Sequence, residues 1–83
     1  MTNALVLTVY ARTYCHLCDD MITALQALQG RFQFEIKVLD VDRNSALEAR
    51  YGELVPVLES DGRELCHYFL DEPAVTAFLT KMR

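Results

Sequence analysis

From Ala4 to Tyr10 the chain is almost continuously apolar, interrupted only by Thr8, the pattern of a strand buried on both faces. A short loop, Ala11 to Tyr14, follows, and then the period changes. Cys18, Met21, Ile22, Leu25 and Leu28 recur at helical spacing, so they mark one face of a helix that Gly30 ends from the C′ position. Asp19 and Asp20 fall in its first turns, where the helix dipole favours carboxylates. Between Phe32 and Val38 the pattern alternates: Phe32, Phe34, Ile36 and Val38 take one face, and Gln33, Glu35 and Lys37 the other. This predicts a strand wet on one side and close to a sheet edge. Strand, helix and strand in this order make a right-handed βαβ unit with parallel strands.

The segment Asp40-Val41-Asp42-Arg43-Asn44 is polar enough to leave the sheet, and Asp40, Asp42 and Arg43 read as a solvated cap. Asn44 or Asp42 caps a short helix from Ser45 to Tyr51, closed by Gly52, with Leu47 and Tyr51 as core contacts. Val55 to Glu59 and Arg63 to Tyr68 read as strands joined by Ser60-Asp61-Gly62, and Asp-Gly is a strong hairpin signal. Pro56 has no N–H to give to a ladder and belongs at the start of its strand. Asp71 caps a last helix that tolerates Pro73 in its first turn, with Val75, Phe78, Leu79 and Met82 as its apolar stripe. The order is β-α-β-α-β-β-α. It predicts an α/β fold: a four-stranded mixed sheet with helices on both faces, the first strand internal and the second outside it.

Composition narrows the class. Eighty-three residues make one domain, residues 1–83, and 52% apolar with 24% charged residues is ordinary for a globular chain. The net charge of -4, from 8 basic and 12 acidic residues, argues against nucleic acid as partner, since no basic cluster is present to neutralise phosphates. No stretch has the length of a membrane span. Met1-Thr2-Asn3-Ala4 lacks the basic region of a signal peptide. Three cysteines are an odd number, unlike a secreted disulfide framework. The expectation is a monomer in a reducing cytoplasm, without contact with membranes.

In that setting Cys15-His16-Leu17-Cys18 stands out. Two cysteines three apart, where a strand gives way to a helix, can be thiols, a disulfide or metal ligands. Cys15 at or near the helix N-cap would aim its sulfur at unpaired N–H groups of the first turn, which favours the thiolate and lowers its pKa below about 8.5. Arg12 and a protonated His16 add positive charge nearby. Cys18, one turn on, falls on the buried face, within reach of a disulfide to Cys15. A nucleophilic Cys15 and a resolving Cys18 would carry out thiol–disulfide exchange. The rival is a binding module that carries a metal or an iron–sulfur cluster. Cys15, His16, Cys18, Cys66 and His67 offer soft ligands, but three cysteines cannot close a four-cysteine site in one chain. No resident metal or cofactor is expected. Tyr14 could flank a substrate groove, and Cys66 reads first as a core cysteine.

The element order, the run Tyr10-Ala11-Arg12-Thr13-Tyr14-Cys15-His16-Leu17-Cys18, and Leu54-Val55-Pro56 together resemble the glutaredoxin branch of the thioredoxin-fold superfamily. More narrowly, they resemble a small bacterial set of glutaredoxin-like proteins with a Cys-His-Leu-Cys site. The resemblance implies strand order 2-1-3-4 with the last two strands antiparallel to the first. It implies that Pro56 is a cis-proline facing the cysteines, with the Val55 backbone offered to a bound peptide or thiol. Arg12 takes the place of a lysine common in glutaredoxins. Two departures accompany the match. His16 replaces the usual proline between the cysteines, and Cys66-His67 align with the Gly-Gly where the backbone approaches glutathione. Side chains there would crowd that site. The implied partners are therefore a protein disulfide or a glutathione-type thiol.

Overall fold

The computed structural model describes residues 5–82. The expectations for Met1 to Ala4, including the start of the first strand at Ala4, lie outside the described residues. Four strands, β1 (Val6–Ala11), β2 (Glu35–Asp40), β3 (Val57–Ser60) and β4 (Arg63–His67), form one mixed sheet in the order β2-β1-β3-β4. Helices α1 (His16–Leu28), α2 (Ser45–Tyr51) and α3 (Glu72–Lys81) complete the chain, with a 3-10 turn at Val41–Arg43. β1 pairs parallel with β2 and antiparallel with β3, and β3 pairs antiparallel with β4. Of the last two strands, then, only β3 runs against β1. β4 runs with it, because a two-residue hairpin reverses the chain.

Alternation along β1 divides the interior in two. Leu7, Val9 and Ala11 join Cys18, Met21, Leu25 and Leu28 of α1, and Val75 and Leu79 of α3, in the main core. Tyr10 turns to the other face and packs with Val41, Tyr51 and Val57 beneath α2. Helices thus cover both faces, and each fully buried leucine contributes about 1.5–3 kcal/mol. On the α2 face, Tyr10 and Tyr51 stack with ring centroids 4.1 Å apart. Their hydroxyls donate to the two carboxylate oxygens of Glu59, at 3.0 Å and 2.9 Å. Burial, reinforced by Glu59, pushes the Tyr10 phenol up to about 12 and raises that of Tyr51 as well.

Several local expectations hold. Asn44 caps α2 by accepting the N–H groups of Ala46 and Leu47, and Asp71 caps α3 by accepting that of Ala74. Asp61 and Gly62 both have positive φ, 53° and 76°, as a two-residue turn between Ser60 and Arg63 requires.

Others are corrected. Gly30 does stand at C′, one past the C-cap Gln29, but without a positive φ. α1 instead ends by tightening, with i→i+3 bonds from Gly30 to Ala27 and from Arg31 to Leu28 that satisfy its last carbonyls. β2 begins at Glu35, so Phe32 and Phe34 pack before the strand, and Val38 is 49% exposed although its register with Val9 puts it on the core face. Met82 is the C-cap residue, past the end of α3, and is exposed rather than part of the apolar stripe.

Candidate active site

Because β4 and β2 run with β1 while β3 runs against them, four chain segments meet at one edge of the sheet. They are the exits of β1, β2 and β4 and the entry to β3. The β1 exit carries Cys15, in extended backbone (φ -115°, ψ 103°), as the N-cap of α1. Its sulfur takes the place usually held by a serine or aspartate oxygen and accepts the N–H of Cys18 at 3.1 Å. The Cys15 carbonyl accepts the N–H of Asp19. Cys18 is 1% exposed and belongs to the main core, whereas Cys15 is half-buried. The two sulfurs are joined in a disulfide, with the Cα atoms 5.2 Å apart. The outer sulfur therefore belongs to the more accessible residue, and the inner one is shielded.

His16, the first residue of α1, is exposed beside Cys15. Tyr14 has φ 58°, a left-handed conformation unusual for a tyrosine, and its side chain is fully exposed. Arg12 is engaged elsewhere than at the thiols. One of its terminal nitrogens donates to Asp42 at 3.0 Å and to Glu48 at 2.8 Å, and the Glu48 bond leads in raising its pKa further. Asp42 is thus an ion-pair partner, and the caps beside it are Asp40, which accepts its N–H, and Asn44. Gly52 lies under this pair. A Cβ there would stand 2.5 Å from the Glu48 carbonyl oxygen and run into the Glu48 carboxylate.

The entry to β3 carries a cis Val55-Pro56 peptide, as the family resemblance implies. Pro56 is fully buried and Val55 half-buried. The β4 exit is tied to this loop twice. The Tyr68 N–H donates to the Pro56 carbonyl at 2.9 Å, and the Tyr68 hydroxyl donates to the Glu53 carbonyl at 3.1 Å. Tyr68 has φ 66°, and the Phe69 N–H donates back to the His67 carbonyl, which closes a γ-turn. This turn leaves the Phe69 ring 67% exposed.

Cys66 and His67 lie within β4, paired with Leu58 and Val57. Directly after β4, the positive φ falls at Tyr68, which is followed by Phe69. Burial pushes the Cys66 thiol up, with the Asp71 backbone N–H pulling the other way, so Cys66 is held as a thiol against the core. His67 bonds through Nδ1 to Glu64 at 2.8 Å and sits edge-on to Tyr68.

The topology brings the predicted segments Arg12 to Cys18 and Val55-Pro56 to one edge. Among the described residues, only the Cys18 N–H is hydrogen-bonded to the Cys15 sulfur. Sequence reasoning missed Asp42 and Glu48 as partners of Arg12, because they are 30 and 36 residues away and follow no local pattern. It also missed Tyr68 and Phe69, although two aromatics between a strand and a helix cap, off both periodicities, were a visible signal. Among the described residues no three of His, Cys, Asp or Glu converge to hold a metal ion, and no helix is long and apolar enough to cross a membrane.

The mixed sheet, the cysteine pair at a helix N-terminus and the cis-proline at the same edge define a glutaredoxin-like protein of the thioredoxin fold. Residues 6–80 match the family described as Glutaredoxin-like domain (DUF836), and the chain belongs to that family. It is similar to protein Ne2328 from Nitrosomonas europaea, solved by NMR, with 42% identity, 95% of each chain covered and a TM-score of 0.85. It is also similar to protein XcR50 from X. campestris, seen by X-ray, with 38% identity, 90% of this chain and 96% of that one covered, and a TM-score of 0.74. The germline-specific thioredoxin Deadhead from Drosophila melanogaster shares the fold at 23% identity, 96% and 82% coverage and a TM-score of 0.61.

Proposed function

We propose that the protein is a thiol–disulfide oxidoreductase, with Cys15 as the nucleophile and Cys18 as the resolving thiol. The observation that carries this is the placement of the Cys15 sulfur at the N-cap of α1, accepting the Cys18 N–H, with a buried sulfur one turn behind it. In the reduced protein, the Cys15 thiolate attacks a substrate disulfide. The substrate S–S bond breaks, a Cys15–substrate bond forms, and the departing sulfur takes up a proton. Cys18, deprotonated, then attacks the Cys15 sulfur, releases the second substrate thiol and leaves the Cys15–Cys18 disulfide. Two electrons have passed to the substrate, and an external thiol or dithiol restores the protein.

His16 would favour the Cys15 thiolate when cationic, and Arg12 would act from its ion pair as part of the surrounding field. Tyr14 and Phe69, both exposed on segments that leave strands at this end of the sheet, would contact a bound substrate, and the Val55 backbone next to Pro56 would offer hydrogen bonds to an extended one. A reducing, cytoplasmic setting suits this chemistry. Cys66 and His67 stand where the family resemblance expects Gly-Gly for close backbone approach to glutathione, and the exposed Tyr68 and Phe69 follow them, which favours a polypeptide disulfide over glutathione as substrate.

The test is a redox titration read by mass spectrometry of alkylated thiols, run in parallel with glutathione and dithiothreitol. Reversible interconversion of the Cys15–Cys18 disulfide and dithiol is expected, with Cys66 alkylated throughout. Failure of the pair to equilibrate at any usable potential would refute the enzyme reading.

A further inference from the structure

Helix α1 leaves part of the sheet uncovered above β2. A groove of about 210 Å³ opens there, directly beside Cys18. Its apolar wall is formed by Cys18, Ile22 and Val38, and Val38 is the aliphatic side chain on the core face of β2 that stays open to solvent. Its polar rim is Arg12, Asp19 and Asp40. Asp40 is fixed at this rim because its Oδ1 accepts the N–H of Asp42.

The sign of the rim follows from the ion pairs. Arg12 is the sole lysine or arginine on the connection from β1 to α1, and α1 itself contains none. Asp42 and Glu48 both hold Arg12, so its charge is more than matched before any ligand arrives. Asp19 and Asp40 are left to set the local field, which is negative. An uncovered aliphatic wall with carboxylates at its mouth suits a long aliphatic stem that ends in a cation. The volume falls below the roughly 300–1,000 Å³ of pockets that enclose a drug-sized ligand, so the groove takes one side chain and not a whole tripeptide. Glutathione, which brings two carboxylates, meets charge of its own sign here.

We propose that this groove is a subsite for a lysine or arginine side chain next to the reacting cysteine of a polypeptide disulfide. The proposal deepens the oxidoreductase reading and rests on it for the word substrate. Binding in the groove can be measured without any turnover.

Two measurements test it. In the oxidised protein, methyl NMR follows Ile22 and Val38 during titration with acetyl-Gly-Ser-Lys-Gly-amide and with its glutamate counterpart, neither of which contains cysteine. The lysine probe is expected to shift both methyls and the glutamate probe to leave them in place. The response to lysine is expected to vanish in the double variant Asp19→Asn, Asp40→Asn, whose side-chain amide at position 40 still offers an acceptor to the Asp42 N–H. In the reduced protein, a lysine-flanked disulfide peptide is expected to react about two- to fivefold faster than a glutamate-flanked one at low salt, and the double variant to abolish that ratio. Equal methyl shifts with both probes, or shifts that persist in the double variant, overturn the subsite. If no disulfide peptide is reduced at all, the oxidoreductase reading fails, and the methyl shifts alone decide on the groove.

Discussion

The backbone N–H of Cys18 donates to the sulfur of Cys15 at 3.1 Å, so one residue supplies both a helix-terminal donor to the outer sulfur and the buried sulfur that closes on it. A capping oxygen at this position would serve only the helix. A capping sulfur couples the helix terminus to chemistry, because the donor that stabilises the first turn also stabilises a thiolate.

In the reduced protein, Cys15 is therefore expected to titrate below the free-cysteine value of about 8.5. Alkylation rate against pH would measure it. A thiol with a depressed folded-state pKa stabilises the reduced fold fully above its unfolded pKa, and that stability is lost as pH falls through the folded value. His16→Ala is expected to move the Cys15 titration upward, and an unchanged curve would remove His16 from the mechanism. Cys18→Ser is expected to trap the mixed disulfide at Cys15, detectable by mass.

We expect the turn after β4 to govern access by small thiols. Tyr68→Gly with Phe69→Gly suits the φ of 66° at position 68 and clears two side chains from the edge. Exchange with glutathione disulfide is expected to rise several-fold in this variant, measured as glutathione adduct at Cys15. No change in that rate would show that the aromatics do not control selection against glutathione.

The tyrosine pair under α2 makes an alkaline prediction. The Tyr10 phenol is pushed up to about 12, first by burial and then by its bond to Glu59. For an acid raised in the folded state, the stabilisation is complete below the unfolded value near 10 and is lost as pH rises from there through about 12. Urea midpoints should therefore fall across that window. Tyr10→Phe should flatten the fall and cost on the order of 1 kcal/mol at neutral pH, where Glu59 keeps its bond to Tyr51.

Gly52→Ala places a Cβ 2.5 Å from the Glu48 carbonyl oxygen and against its carboxylate. A loss of about 1–3 kcal/mol is expected in denaturant unfolding. Adding Glu48→Ala should recover only part of that loss, because the carbonyl oxygen stays. Full recovery would place the entire clash in the side chain.

Much of this architecture was legible because its causes are local. The helical period through Cys18, Met21, Leu25 and Leu28 located α1 and the face that Cys18 occupies. Asp61-Gly62 located the hairpin, because two adjacent positive φ values favour such residues. Asn44 and Asp71 marked helix starts through side chains that reach only a few residues. The alternation from Phe32 to Val38 misled on burial. Period two tells which face a residue takes, but whether a helix extends far enough to cover that face is set by packing.

Spacing along single segments was enough to establish the element order, the doubly buried β1 and a place for Cys15 at or near the start of α1. The surroundings of that sulfur came from the assembled fold instead. Arg12 is held by carboxylates some thirty positions downstream, Val38 lies open beside Cys18, and Tyr68 is bonded to the loop that carries the cis-proline. These relationships depend on which distant segments the sheet order brings to one edge. Charge pairing and steric access at that edge are properties of the assembled surface.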